Sequence, residues 1–160
     1  MRTTSMLLSF LCLLIASCTG VTPEKPMQQV IDEAFKTSIE QYTQMAEKLT
    51  ENDSLLPRTF DGKQLITSDP HWWCSGFFPG SLWYLYEYTQ DDRLLAYARQ
   101  YTARVECEKY TTDNHDIGFI LFCSFGNGLR LTGDPAYREV LHTGSQSLAT
   151  RYNPKVGLIR

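Results

Sequence analysis

Cysteine pairs at metal-ligand spacing are missing from this chain. It has five cysteines and no CxxC pair, and once Cys12 and Cys18 are set aside with the N-terminal segment only Cys74, Cys107 and Cys123 remain. An odd count without that spacing argues against a zinc site or a disulfide framework. These thiols are expected to be small buried apolar residues, and no metal or organic cofactor is implied. Runs of Lys and Arg are missing too. The basic residues are scattered among acidic ones, so nothing suggests a nucleic-acid partner. No segment alternates apolar and polar residues between hairpin turns, so no strand is expected.

The first apolar run, Met6 to Ile15 behind Arg2, is too short to span a bilayer as a mature helix and has the form of a secretion signal. It closes on Ile15-Ala16-Ser17-Cys18, small residues before a cysteine that resemble a bacterial lipobox. Residues 1–17 are therefore read as a lipoprotein signal peptide and Cys18 as the lipidated mature N-terminus. An ordinary signal peptide cut after Ala16 or Ser17 is the other reading. Residues 18–26, with Pro23 and Pro26, read as a short tether. This puts the protein in the bacterial cell envelope, facing the periplasm or on the outer membrane, with a lipid on Cys18 as its only membrane contact. Loss of Arg2 with the signal takes the basic count from 15 to 14 against 18 acids, a formal charge of about −4.

The rest reads as helices. From Met27 to Leu49 the apolar positions follow a 3.6-residue period with charges opposite. Thr50 to Ser75, with Pro57, Asp61-Gly62 and Asp69-Pro70, is turn-rich and is expected to be a long, largely irregular functional loop. Pro79 fits the first turn of a second helix that runs to about Tyr88. Asp91 then caps a third, from Arg93 to about Lys109. Ile117 to Leu131 is the fourth and Ala136 to Tyr152 the fifth. Thr89-Gln90-Asp91 aligns with Thr132-Gly133-Asp134 at an offset of 43 residues, the length of one repeated helical hairpin. Six such pairs need on the order of 260 residues.

The same offset sets Trp73 opposite Asp116. His115-Asp116-Ile117-Gly118-Phe119 puts an imidazole and a carboxylate at the start of an apolar helix. It follows the aromatic loop His71-Trp72-Trp73-Cys74-Ser75-Gly76-Phe77-Phe78-Pro79-Gly80. A carboxylate at a helix mouth near exposed indoles points to carbohydrate chemistry. Taken alone, Asp116 reads as a helix N-cap and His115 as a solvated histidine. Adjacent indoles cannot point the same way, so Trp72 is expected in the core and Trp73 free to stack on a sugar. The run Trp83, Tyr84, Tyr86, Tyr88 reads as packing, and Asn127 with Gly126 and Gly128 as a close helix contact.

Four ordered motifs support a resemblance. They are Trp73 to Gly80, His115 to Phe119, Ser124-Phe125-Gly126-Asn127-Gly128 and Ser147-Leu148-Ala149-Thr150-Arg151-Tyr152-Asn153-Pro154. Together they resemble unsaturated glucuronyl hydrolases of glycoside hydrolase family 88, from about Val30 to Arg160. The resemblance implies an all-α fold, an incomplete (α/α)6 barrel built of helical hairpins, with residues 27–160 its N-terminal part. It implies removal of a C4=C5 unsaturated glucuronyl residue from the non-reducing end of lyase-generated oligosaccharides, often from glycosaminoglycans, by hydration of the double bond. Asp116 matches the first of the family's two aspartates and is its catalytic candidate. Trp73, His115 and Asp116 are the substrate-binding candidates. Cys74 stands where family members commonly have Thr. The second aspartate and the residues that bind the uronate carboxylate are expected past Arg160, so the 160-residue product alone is expected to be inactive and aggregation-prone. Two alternatives stay open: an unsaturated rhamnogalacturonyl hydrolase acting on pectin fragments, and a helical lipoprotein that binds glycans without cutting them.

Overall fold

A computed structural model describes residues 25–159. The signal segment, Cys18 and most of the tether lie outside the described residues. Residues up to Ala34 and from Phe35 onward form two separate units. In the first, Lys25 pairs with Glu33 at 2.6 Å. Among the described residues no helix is long and apolar enough to cross a membrane.

Helix α1 spans Met27–Lys48. From Phe35 on, its periodic apolar positions Ile39, Tyr42, Met45 and Ala46 pack into a core made with α2 (Phe77–Thr89) and α3 (Asp92–Arg104). Buried side chains of α3 brace the carbonyls at the end of α1 and in the segment after it. The Tyr101 hydroxyl donates to Ala46 O at 2.7 Å, and the Arg104 guanidinium donates to Leu49 O at 2.9 Å and Leu55 O at 2.7 Å. Between α2 and α3 the buried Trp83 Nε1–H donates to Thr102 Oγ1 at 2.8 Å. Pro79 lies in the first turn of α2, as the sequence predicts.

The fourth helix forms in three pieces: α4 (Ile117–Leu121), a π-helical turn (Phe122–Gly126) and α5 (Asn127–Thr132). Helix α6 follows at Pro135–Ala149. Val105, Ile117, Ile120, Leu121, Phe125, Val140 and Leu141 form a second core cluster with the buried Leu56. Glycines bring α2 hard against the fourth helix. A Cβ at Gly76 would lie 2.1 Å from Ile120 O, and one at Gly80 2.7 Å from Cys123 O.

The 43-residue repeat is visible in its turns. Gln90 and Gly133 both take the left-handed conformation after a helix, at φ 57° and 69°. Thr89 and Thr132 each donate a hydroxyl to the carbonyl four residues back, at 2.8 and 2.7 Å, and each hydroxyl accepts from the N–H of Asp91 or Asp134 at 3.2 Å. Asp91 and Asp134 then cap the next helix, accepting from Arg93 N at 2.8 Å and Ala136 N at 3.0 Å. Two residues 43 apart, Glu87 and Arg130, join neighbouring helices through a bidentate ion pair at 2.6 and 2.7 Å.

Several expectations are corrected. The segment Thr50 to Ser75 contains an antiparallel hairpin, β1 (Leu56–Phe60) with β2 (Leu65–Ser68). Asp61-Gly62 makes its turn: Asp61 Oδ1 accepts from Lys63 N and Gln64 N at 2.8 Å, and Gly62 has φ 92°. Leu56 ties the hairpin into the core. Helix α3 ends at Arg104 and not near Lys109, because Val105 leaves helical geometry (ψ 5°) to enter the second cluster; a 3-10 turn, Glu106–Tyr110, follows. Helix α6 stops before Tyr152, since Pro154 disfavours helical backbone at Asn153. There β3 (Tyr152–Asn153) pairs with β4 (Leu158–Ile159). Cys74, Cys107 and Cys123 are free thiols, but Cys107 is exposed and the other two only half-buried. Tyr84 and Tyr88 are also exposed, so only Trp83 of that aromatic run is fully packed.

Candidate active site

The loop before α2 is held in place by its own polar groups. Asp69 Oδ1 accepts from His71 N at 3.0 Å, and the Ser75 hydroxyl donates to Pro70 O at 2.6 Å. His71 Nδ1 lies 3.1 Å from Oε2 of Glu108, a buried carboxylate that also accepts from the Thr111 hydroxyl at 2.8 Å. A single side chain joins this loop to the start of α4. Asn114 donates through Nδ2 to His71 O at 3.2 Å and accepts through Oδ1 from Asp116 N at 2.9 Å. The segments carrying Trp73 and Asp116 are thus bound to each other, and the Asn114–His71 link again joins residues 43 apart.

Asp116 stands at the N-cap position of α4, yet its side chain makes no cap hydrogen bond. Only its backbone carbonyl serves the helix, accepting from Ile120 N at 3.1 Å. The carboxylate is 18% exposed and lies 3.4 Å from His115 Nε2, whose ring is largely in solvent. A carboxylate free of capping can accept a hydrogen bond from water or a sugar hydroxyl, or exchange a proton with one.

Beside it runs an aromatic wall. Trp73, 44% exposed, meets Phe77 edge to face at 5.7 Å and Phe119 at 6.5 Å, and Phe77 and Phe119 meet at 5.9 Å. Trp72 is half-buried instead, with the Arg58 guanidinium 3.7 Å above its ring. An open recess of about 600 Å³ adjoins the wall, lined by His115, Phe119, Phe122, Cys123, Asn127 and Tyr84 among others. Asp116 is not part of that lining, although His115 before it and Gly118 after it are. The π turn shapes this floor: Asn127 Nδ2 donates to Cys123 O at 2.9 Å, and the buried Ser124 hydroxyl donates to Ile120 O at 2.6 Å. Such single π turns occur often at functional sites. Burial pushes the Cys123 thiol up, so it stays protonated at neutral pH. Among the described residues no cluster of His, Cys, Asp or Glu could hold a metal ion.

Structure therefore brings Trp73, His115 and Asp116 to one end of the helices, while Cys18 lies outside the described residues. Phe77 and Phe119 lie within the two motifs without being singled out by the sequence, Tyr84 reads there as packing, and the buried Glu108 carries no signal. Phe119, one helical turn after Asp116, carried a usable signal. Gly128 does mark a close contact, a Cβ there lying 2.5 Å from the Tyr137 ring, whereas Gly126 makes only ordinary contact.

No protein-family model matches the chain. An unsaturated glucuronyl hydrolase of Formosa agariphila is 42% identical over 89 residues, covering 55% of this chain and 22% of the relative. An unsaturated chondroitin disaccharide hydrolase of Streptococcus pneumoniae is 32% identical over 112 residues, covering 65% and 27%. Among solved structures, an unsaturated glucuronyl hydrolase specific for heparin superimposes with a TM-score of 0.74 at 40% identity, over 80% of this chain and 34% of that one. The enzyme from Streptococcus agalactiae gives 0.65 at 26% identity, over 79% and 33%. The chain thus spans about a quarter of the length of these curated relatives and a third of the solved ones. The solved relatives are (α/α)6 barrels, and the helical hairpins described above are part of such a ring. In sequence and in backbone, the chain is similar to unsaturated glucuronyl hydrolases over part of their length.

Proposed function

We propose that this chain belongs to a hydrolase that removes a C4=C5 unsaturated glucuronyl residue from the non-reducing end of lyase-generated oligosaccharides, with glycosaminoglycan fragments as the substrate class. The observation that carries this reading is the state of Asp116: a carboxylate at a helix start that does not cap its helix, tied through Asn114 to a loop presenting an exposed indole. An aromatic wall suits the apolar face of a sugar ring, and the adjacent carboxylate suits its hydroxyls and an attacking water. The names of the relatives favour the same chemistry.

In this reading water adds across the double bond, one proton going to C4 and the hydroxyl to C5. The C5 hemiketal opens to a ketone, leaving C1 as a hemiacetal that expels the remaining saccharide as an alcohol. Each step moves protons and requires neither oxidant nor reductant. Asp116 holds the ring hydroxyls or exchanges the proton at this end of the recess, Trp73 stacks on the ring, and His115 contacts the sugar beside them. A second aspartate, which the resemblance calls for, is not assigned among these residues. The lipid on Cys18 would hold the protein at the cell envelope.

The test uses the protein expressed from its complete reading frame and an unsaturated glycosaminoglycan disaccharide, followed by loss of the ultraviolet absorbance of the conjugated double bond. Wild type should consume the chromophore, and Asp116→Asn should lose at least 100-fold in kcat, within the usual span for a general acid or base. A binder without catalysis would leave the absorbance unchanged in both, and that outcome would falsify the hydrolase reading.

A further inference from the structure

Arg58 has no part in the site as described, yet three independent features of the structure aim it there. Strand β1 carries a β-bulge at this residue: Pro57 faces Thr67 and Thr59 faces Ile66, leaving Arg58 with no cross-strand partner. Bulges beside active sites commonly redirect a side chain in this way. The redirected guanidinium sits 3.7 Å above the centroid of the Trp72 ring. Held by its face, it keeps its in-plane N–H donors for another partner. None of the described carboxylates supplies that partner within ion-pair distance, whereas Arg93 and Arg130 are ion-paired and Arg104 donates to two carbonyls.

The surroundings show where a ligand group would come from. Arg58 lines a recess of about 260 Å³ with Cys74, Phe77 and Phe78. Phe77 also belongs to the wall that continues through Trp73 to Phe119 and the recess beside His115. One aromatic surface thus runs from the Asp116 end to the Arg58 end. A saccharide with its unsaturated ring at the first would carry its next residue toward the second.

We infer that Arg58 is a specificity-determining residue that grips an anionic substituent, sulfate or carboxylate, on the saccharide next to the unsaturated ring, which rests on the hydrolase reading above. A stacked, unpaired guanidinium presents the planar fork that matches either oxyanion with two parallel N–H donors.

The experiment measures kcat/KM on the protein from its complete reading frame with three unsaturated disaccharides: one sulfated on the second sugar, one bearing a carboxylate there, and one neutral. Wild type should prefer one or both anionic substrates by about tenfold, the scale of a charge-assisted bidentate contact, and the better of the two identifies the group. Arg58→Gln should collapse that ratio through KM. Arg58→Lys, which keeps charge without the planar fork, should retain less than a third of the preference. Lys63→Ala, at the tip of the same hairpin, should keep the wild-type ratio and so exclude a general charge effect. The proposal is overturned if wild type shows no preference, if Arg58→Gln slows all three substrates equally, or if Lys63→Ala lowers the ratio as much. In those cases the substrates are still consumed and the hydrolase reading stands. Failure to consume any of the three sinks both.

Discussion

Alanine at Gly76 tests whether the aromatic loop and the Asp116 helix are held together by direct backbone contact. The added Cβ would lie 2.1 Å from Ile120 O and 2.6 Å from both C and Cα of Ile120. Ordinary Cβ contacts begin near 3.4 Å, so the start of α2 and α4 must part by more than an ångström. The clash is with helical backbone and has no flexible side chain to yield. Gly80 meets Cys123 O on the same seam, so that contact must open as well. Overpacking of this kind costs about 1–3 kcal/mol and more where neither partner can relax; we expect about 3 kcal/mol here. For a chain of this size that lowers Tm by roughly 10 °C. Since Trp73 packs on Phe119 across the seam, its fluorescence should shift at temperatures where the protein is still folded. Gly118→Ala is the control: a Cβ there meets nothing within 4 Å inside α4. It should be neutral or stabilise by up to ~1 kcal/mol by restricting the unfolded chain. Calorimetry and circular dichroism melts read both. If Gly76→Ala melts within two degrees of wild type, or Gly118→Ala is the more damaging, the seam does not hold the site together.

Trp83→Phe removes the indole N–H that serves Thr102 in the core and leaves a void, and should cost about 2–4 kcal/mol in chemical denaturation; adding Thr102→Val should recover part of it. Asp91→Ala should cost about 1 kcal/mol as a lost cap, whereas Asp116→Asn should leave the melting temperature nearly unchanged, because its side chain caps nothing. The Arg130 guanidinium beside Glu87 holds that carboxyl below the usual range. A depressed folded-state pKa gives stability that is present above the ordinary carboxylate pKa and disappears as pH falls through the lowered one. Arg130→Gln should therefore destabilise more at neutral pH than at about pH 3, and molar salt should shrink the difference for so exposed a pair.

The helices were legible because each has one apolar stripe and most have a marked start: Asp91 and Asp134 cap α3 and α6 as their sequence positions indicate. The repeat was legible for the same reason, since Thr-x-Asp closes one helix and opens the next with local hydrogen bonds alone. The hairpin was not, because Pro57 and the bulge at Arg58 break the alternation that marks a strand. The π turn has no local signal either; it forms where Gly76 and Gly80 press the fourth helix against α2, a contact between segments distant in sequence. In the candidate site the polar members stood out as unusual residues at a helix start. The wall residues Phe77 and Phe119 lie within the sequence motifs but have nothing in their residue type to mark a role, and Glu108 sits in the charged stretch Glu106-Cys107-Glu108-Lys109, where only the early end of α3 turns it inward.

The most direct measurement is the fate of hydrogen when the protein from its complete reading frame meets an unsaturated uronyl disaccharide in heavy water. Hydration at this site predicts a saturated keto product carrying one deuterium at C4, formed by wild type and slowed at least 100-fold by Asp116→Asn. A released sugar with its double bond intact, or deuterium at C4 arriving equally fast without the Asp116 carboxylate, would contradict the account.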